Sequence, residues 1–227
     1  MTTTLAWTPA RPPQPRPLQG QYVRLEPLDP ARHGADLWLE LQAGTHADPT
    51  LWQYLRHGPF ADQVAFETWL RQLLTTRDPL FFTVIDPNDD AALGMLALMS
   101  IDTENGCIEI GNVTLGARLQ RSTLATEAFY LLMQEAFALG NRRLEWKCDN
   151  ANARSKRAAE RLGFHYEGLF RQHRVVKGRN RDTTWFSLLD HEWPAVAAGF
   201  RRWLAVDNFD AEGRQRNALA VAAASAV

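Results

Sequence analysis

The sequence predicts an α/β (α+β) fold, with a mixed and largely antiparallel sheet of about seven strands and helices on both faces. Strand-like and helix-like segments alternate along the 227 residues, and a helix-like segment joins the strand candidates 107–116 and 142–149. A helical connection of this kind implies a parallel pair, whereas the short turns elsewhere imply antiparallel pairs.

In the first half of the chain, the spacing of apolar residues separates strands from helices. Residues 80–86, LFFTVID, are continuously apolar at their centre, as expected for a strand that is covered on both faces. Phe66, Trp69, Leu70 and Leu73 recur at helical spacing and form one apolar stripe. The elements predicted in order are strand 22–28, helix 31–42, an irregular connection 46–60, helix 61–76 and strand 80–86.

In the second half, turn and cap residues mark the boundaries. Asn152 is a good N-cap and Gly163 a good C-cap for the helix between them, and KGRN at 177–180 is a turn inside a hairpin. The elements predicted in order are strands 93–102 and 107–116, helix 122–139, strand 142–149, helix 153–163, hairpin strands 168–176 and 182–190, and helix 195–206.

Composition changes divide the chain into three parts. Residues 1–20 form a proline-rich N-terminal arm, 21–193 the main domain, and 194–227 a C-terminal helix with an alanine-rich tail. Proline removes backbone donors, so we expect the arm to be extended. We expect the tail to be frayed.

Overall charge and cysteine content exclude several classes of protein. A formal charge of −1 gives no reason to expect nucleic acid, and no apolar run is long enough for a membrane span. The N-terminus lacks a secretory pattern, so the expected location is cytoplasmic. Cys107 and Cys148 are expected to be reduced core thiols. His46 and His57 lack metal-ligand spacing, so no metal is expected.

Several motifs in order resemble the GNAT N-acetyltransferase superfamily, and most closely its ribosomal-protein N-acetyltransferase (RimJ/RimL-type) branch. The resemblance covers about residues 20–193. Its carriers are EIG at 109–111, Q-x-x-T-x-A and ATEA within 120–128, N-x-x-S at 152–155, RLGF at 161–164, and the later YEG, KGR and FSLLDHEWP. The resemblance implies a GNAT-type sheet and acetyl-CoA as cosubstrate.

The family's acetyl-CoA loop has the pattern Q/R-x-x-G-x-G/A, in which Gln120 fits the first position and Ala125 the last. Thr123 replaces the central glycine, and we expect ordinary helical or extended dihedrals there because a β-branched residue disfavours positive φ. Alternatively, Ser122 is only an ordinary helix N-cap. The residues implied to bind the cofactor are Val113, Leu115, Gln120, Arg121, Ser122, Thr123, Leu124, Ala125, Thr126, Asn152 and Ser155.

The resemblance also implies catalytic residues. Glu109 is the candidate general base, acting through a water, and Gly111 suggests a bulge whose backbone N–H stabilises the developing oxyanion. Ser155 is the candidate proton donor, since the tyrosine that many family members carry on this helix is replaced by Ala159. Water and Tyr166 are the other candidates, although Tyr166 is expected to be a packing residue.

The main hypothesis is an N-acetyltransferase that transfers acetyl from acetyl-CoA to a primary amine by direct attack. The expected acceptor pocket lies between the connection 46–60 and the closing hairpin, and the acceptor itself stays open. The alternatives are a non-catalytic CoA-binding module and an interaction domain that acts through the proline-rich arm. A homodimer is possible. Candidate pocket residues are His46, Trp52, Tyr54, His57, Arg171 and His173.

Overall fold

A computed structural model describes residues 6–221 of the chain. Side-chain caps begin four of its five α-helices: Asp29, Asp62, Ser122 and Asn152 each accept a hydrogen bond from a backbone N–H in the first turn. The helices are α1 (Pro30–Trp38), α2 (Gln63–Leu73), α3 (Thr123–Ala138), α4 (Ala153–Arg161) and α5 (Trp193–Leu204).

The described residues form one sheet of eight strands in the order β1-β2-β3-β4-β5-β6-β8-β7. Only β5 and β6 are parallel, and the other neighbours are antiparallel, which confirms the predicted mixed sheet. The strands are β1 (Leu18–Gln19), β2 (Arg24–Pro27), β3 (Leu80–Ile85), β4 (Ala92–Asp102), β5 (Cys107–Leu115), β6 (Arg143–Asp149), β7 (His165–Val176) and β8 (Arg179–Leu189).

Helices cover both faces of the sheet. On one face, α1 and α2 pack on β3 and β4 around Phe66, Trp69 and Met95. On the other face, α3, α4 and α5 pack against the sheet in a larger core that includes Trp146 and Phe200 and extends to residues of β2, β3 and β4. Side chains of β5, β6 and β8 that point towards the α1–α2 side are largely polar, and they lie beside the smaller core rather than inside it.

The N-terminal arm follows the surface of the domain. The backbone N–H of Ala10 donates to Thr103 and that of Arg11 to Leu139, while Arg16 pairs with Glu135 of α3 at 2.6 Å. Leu18 and Gln19, near the end of the predicted extended arm, form β1, which explains why the sheet has one strand more than expected.

Two local expectations change. The helix predicted to reach residue 42 leaves α-helical geometry at Leu39, and Leu39–Ala43 forms a π-helical turn closed by the Gly44 N–H. Cys148 is a buried free thiol as expected, but Cys107 is only partly buried. Among the described residues, no helix is long and apolar enough to cross a membrane.

The tail predicted to be frayed is ordered as far as the structure describes it. Leu219 and Val221 pack against the larger core, because their apolar side chains cover α5 and the start of the loop after α4. The rest of the predicted tail, 222–227, lies outside the described residues.

Candidate active site

A gap opens in the centre of the sheet where the two parallel strands separate. β5 and β6 pair only from Cys107 with Arg143 to Glu109 with Glu145. Beyond that point β5 stays with β4 and β6 with β8, as far as Asp149. Helices α3 and α4 follow the C-terminal ends of these strands, so both helices start at the same edge of the sheet, beside the gap.

The open side of β5 presents unpaired backbone to the gap. Gly116 N–H donates to Leu93 of β4, so the alternation of a strand directs the N–H groups of Val113 and Leu115 away from β4 and towards the gap. A bulge interrupts the β4–β5 register here, with Asn112 at a φ of 50°. The predicted bulge therefore exists, but it is centred one residue after Gly111.

Gly111 has a different role from the one predicted. Its φ lies outside the left-handed region, and a Cβ atom there would overlap Met99 Sδ and lie 3.3 Å from Glu109 Oε1. The absence of a side chain at 111 therefore leaves room for Met99 and for the Glu109 carboxylate.

The loop before α3 carries free backbone donors. The N–H groups of Ser122, Ala125 and Thr126 donate to Leu119, to Ser122 Oγ and to the Ser122 carbonyl. Those of Arg121, Thr123 and Leu124 have no acceptor within residues 6–221. Three unpaired N–H groups at the positive end of a helix dipole form a suitable site for a phosphate anion.

The left-handed residue of this loop is Arg121, whose φ is 59°. Thr123 has no positive φ and is the first residue of α3, which confirms the expectation for this position. Ser122 is a true N-cap, since its Oγ accepts from Ala125 N–H at 3.0 Å and donates to Leu119 at 2.7 Å. The capping alternative and the anion site are therefore compatible.

Two other predicted loop residues are engaged within the protein. Gln120 Nε2 donates to the Leu115 carbonyl at 3.0 Å, which ties the loop to the end of β5. The Thr126 hydroxyl is buried, donates to the Ser122 carbonyl at 3.2 Å and accepts from Arg161 at 3.3 Å. Thr126 therefore offers no free donor, and the structure does not bring it to the anion site.

Glu109 lies where β5 and β6 separate and is only 6% exposed. Its Oε2 accepts hydrogen bonds from Ser100 Oγ and from Lys147 Nζ, both at 2.9 Å. Its Oε1 accepts none from the described residues and lies beside Gly111. One carboxylate oxygen is thus fixed and the other is available.

Lys147 is the main residue that the sequence analysis missed. Its ammonium group lies 2.9 Å from both Glu109 and Glu145 and 4.1 Å from the centre of the Trp185 ring. Burial lowers the pKa of Lys147, but the two carboxylates outweigh burial, and the pKa lies above its ordinary value. Polar and apolar residues alternate strictly along 143–148, which places Glu145 and Lys147 on one face, and this alternation was the available signal.

Asn152 and Ser155 begin α4 on the other side of the gap. Asn152 Oδ1 accepts from Ser155 N–H at 3.1 Å, and its side-chain amide donors have no acceptor in the described part of the chain. Ser155 Oγ accepts from Trp146 Nε1 at 3.0 Å. Ser155 shares no hydrogen-bond partner with Glu109, so the two predicted catalytic side chains are separate from one another.

The other candidate proton donors fit less well. Ala159 is fully buried in the larger core, so no side chain takes the place of the tyrosine. Tyr166 is 61% exposed and its ring lies edge-on to Phe186. Its packing is therefore limited, since more than half of the side chain is exposed.

The connection between α1 and α2 lies across the gap. Tyr54 donates to the Ala151 carbonyl at 3.2 Å, Asp48 pairs with Arg154 at 3.1 Å, and Lys177 donates to the Trp52 carbonyl at 2.7 Å. These contacts join the connection to α4 and to the tip of the β7–β8 hairpin. They support the predicted position of an acceptor pocket between these segments.

The other pocket candidates divide into core and surface residues. Trp52 is 3% exposed and packs with Phe60 and Trp69, so it belongs to the core. His57 packs on Trp69. Burial, followed by the charges of Arg56 and Lys177, lowers the pKa of His57. His46 and Arg171 are exposed, and His173 lies in a bulge of β7. Within residues 6–221 no group of side chains fits a metal ion.

Comparison with known proteins agrees with this geometry. The profile of the acetyltransferase (GNAT) domain matches residues 23–165. The chain belongs to the GNAT acetyltransferase family.

Solved relatives of this acetyltransferase share its whole fold. A GCN5-related N-acetyltransferase from Brucella melitensis is 48% identical, with a TM-score of 0.91 over 94% of this chain and 96% of that one. A "probable acetyltransferase (GNAT family)" from Chromobacterium violaceum is 45% identical, with a TM-score of 0.79 over 86% and 97%. An N-acetyltransferase of Bacillus licheniformis, p20, is 31% identical over 65% of this chain and 84% of its own.

Proposed function

We propose that the protein transfers an acetyl group from acetyl-CoA to a primary amine. The observation that carries the proposal is the gap between β5 and β6, which has unpaired N–H groups at one end and a buried carboxylate, Glu109, at its apex. The unpaired N–H groups can bind the phosphates of an anionic cosubstrate, and the carboxylate can take the proton that an amine loses when it attacks.

The residues around the gap fit acetyl-CoA. The N–H groups of Arg121, Thr123 and Leu124 would hold the pyrophosphate, each charge gaining roughly 0.3–1 kcal/mol from the helix dipole. Val113 and Leu115 would pair through their backbone with the pantetheine arm, as an extra strand would. The free amide donors of Asn152 would face the same arm. Ser122 would act as the cap, and Gln120 would fix the loop.

Acetyl-CoA supplies an acetyl group activated as a thioester. Glu109 Oε1 would take a proton from the attacking amine, directly or through one water, while Ser100 and Lys147 hold the other oxygen in place. A backbone N–H in the bulge at Asn112 would stabilise negative charge on the acyl oxygen. Ser155 or solvent would return a proton to the leaving thiolate.

The acceptor is proposed to be a protein N-terminus or a small amine, as in the RimJ/RimL-type branch. A Bacillus subtilis relative named "Putative ribosomal N-acetyltransferase YdaF" is 31% identical over 46% of this chain and 57% of its own, which supports this branch. An α-amine with a pKa near 8 is about 1.4 kcal/mol from neutrality at pH 7, whereas a lysine near 10.4 needs about 4.6 kcal/mol. A single ion-paired carboxylate suits the α-amine better. We further propose a cytoplasmic location.

The test is thiol release from acetyl-CoA across a panel of peptides, amino acids and small amines. Thiol release that depends on one class of amine is the expected result. A rise in melting temperature with acetyl-CoA, but no thiol from any amine, would instead identify a non-catalytic CoA-binding module, which the absence of a tyrosine at Ala159 favours. If acetyl-CoA neither raises the melting temperature nor releases thiol with any amine, the proposal is contradicted.

A further inference from the structure

Buried polar atoms without partners are concentrated on the closing hairpin. Among the described residues, seven buried side-chain polar atoms make no hydrogen bond, and four of them lie on this hairpin: His173 Nδ1, Arg181 Nε, Thr183 Oγ1 and Trp185 Nε1. The other three belong to Trp52, Trp69 and Thr83. Three of the four hairpin atoms come from alternate positions of β8, so they lie on one face of the sheet. Buried polar atoms in native proteins nearly always have partners, so such a row indicates a partner from outside the chain.

The row continues the proposed active site. Trp185 pairs with Lys147 across the ladder, and Lys147 contacts Glu109. Ser187 pairs with Glu145, which in turn forms the last β5–β6 pair, with Glu109, before the gap opens. At roughly 3.4 Å per residue, Trp185 and Thr183 lie about 7 and 14 Å along β8 from that level. The carboxylates therefore lie at one end of this row of side chains and the unpartnered polar atoms at the other.

The hairpin that carries the unpartnered polar atoms has an excess of positive charge. Residues 165–189 carry two acidic side chains and five basic ones in a chain whose formal charge is −1. Asp182 already accepts from Gln172 N–H and Asn180, and Glu167 is paired with Arg143. Asp149, opposite Thr183, accepts from Ala151 N–H. The basic side chains are Arg171, Arg174, Lys177, Arg179 and Arg181.

The side chains that cover the row come from an irregular part of β7. The Phe170 ring lies 4.8 Å from Trp185 and 5.4 Å from His173. The β7–β8 register shifts between Phe170 and Arg174, and Gln172 has a φ of 50°. Phe170 is also 51% exposed. A ligand can therefore displace this cover without breaking the regular part of the ladder.

We propose that His173, Arg181, Thr183 and Trp185 form an anion subsite that selects acceptors with a carboxylate about 7–14 Å from the reacting nitrogen. An extended peptide with a free N-terminus and an acidic third residue meets this requirement. A polyamine does not, because it carries no hydrogen-bond acceptor or negative charge in its protonated form. This inference rests on the proposed function and narrows its acceptor.

The test compares three tetrapeptide amides, Ser-Ala-Asp-Ala, Ser-Ala-Asn-Ala and Ser-Ala-Lys-Ala, as acceptors in thiol release. We expect kcat/KM for the aspartate peptide to exceed that for the lysine peptide by about tenfold or more, mainly through KM, because a charge-assisted hydrogen bond is gained. Arg181→Met and Thr183→Val should each reduce the ratio of aspartate to asparagine peptide. Arg201→Met, which removes an exposed arginine from α5, should leave it unchanged.

Equal kcat/KM values for the three peptides with the unmodified protein would overturn the subsite. If no amine releases thiol, the proposed function fails, and calorimetric binding of the same peptides in the presence of CoA decides the subsite separately. Tighter binding of the aspartate peptide would then support it, and equal Kd values would overturn it. Melting temperatures identify a variant that fails to fold, and Thr183→Ala, which also removes the hydroxyl, replaces Thr183→Val in that case.

Discussion

At the scale of single residues, the Glu109 carboxylate combines two environments. Its Oε2 is fixed by Ser100 and Lys147, whereas Oε1 has no partner among the described residues. An oriented carboxylate with one open oxygen is what proton removal from a bound amine requires.

Glu109→Gln should therefore lower kcat by about 100-fold or more, since general-base catalysis contributes about 10²–10⁴. The KM for acetyl-CoA should change little, because Glu109 is remote from the phosphate loop. Steady-state thiol release measures both constants. Glu167→Gln, which alters a carboxylate bonded to Arg143 instead, is the matched control. An unchanged kcat in Glu109→Gln would contradict the base assignment.

At the scale of elements, the start of α3 divides helix capping from anion binding, which the sequence had offered as alternative roles for Ser122. Ser122 Oγ caps the helix, and the neighbouring N–H groups of Arg121, Thr123 and Leu124 stay free. Helix stability and anion binding should consequently respond to different substitutions.

Ser122→Ala should lower the free energy of unfolding by about 1 kcal/mol, because the Ala125 N–H loses its acceptor. The KM for acetyl-CoA should stay within about threefold, since no free N–H is removed. Urea unfolding and initial rates check the two effects. Ser122→Thr, which keeps the hydroxyl, should restore the stability. A large rise in KM with intact stability would show that the hydroxyl itself binds the phosphate.

Further along α3, Glu127 fastens the helix to the chain that enters β2. This carboxylate is 4% exposed and accepts the backbone N–H groups of Gln21, Tyr22 and Val23 at 2.6–2.9 Å. Glu127→Gln should cost about 3 kcal/mol, because an amide replaces one charged acceptor oxygen with a donor that faces other donors. Glu135→Gln is the matched control on the same helix. Its partner Arg16 is 59% exposed, so the expected cost is about 1 kcal/mol or less. Equal losses measured by urea unfolding would contradict this account.

At the scale of the whole molecule, stability should depend on pH through buried histidine. His33 is 2% exposed, and burial lowers its pKa despite a 3.2 Å contact with Glu26. Because the folded-state pKa lies below the unfolded value, the unfolded chain binds more protons as pH falls through about 6.5. The contribution of neutral His33 to the free energy of unfolding is then fully present above that pH and is lost progressively below it.

The free energy of unfolding should fall between pH 7 and 5.5, and His33→Gln should flatten this slope because it does not titrate. The pKa values of His57 and His173 are also lowered, first by burial, so some slope should remain. Urea unfolding at several pH values measures it. A slope unchanged in His33→Gln would contradict the role of His33.

The order of elements was predictable because local signals agree with the global fold. Continuous apolar residues mark β3, alternation marks β6, and Asn152 and Gly163 bound α4. The π-helical turn after α1 was not predictable, since its residues Leu39–Ala43 have ordinary helical spacing. The packing of Leu219 and Val221 could not be read from the alanine-rich sequence, because their contacts depend on how α5 and the loop after α4 are placed by the fold.

The positions of site residues were predictable only where they follow from the sequence of a single element. The helix start at Ser122 and the position of Glu109 follow from local pattern and from the family resemblance. The pairing of Lys147 with Glu109 depends on the register of β5 against β6, and the row on β8 depends on the register of β8 against β6. The register between two strands cannot be predicted from the sequence of either strand alone.

The left-handed conformation at Arg121 also affects how relatives of this chain can be found. The loop makes its sharp turn two residues before the position at which the usual pattern requires glycine. A search that demands glycine at that position would pass over chains with this same backbone. Aligning relatives by the conformation of the loop, with Arg, Asn or Gly allowed at 121 and small residues at 122, 123 and 125, should recover members that a glycine signature leaves out.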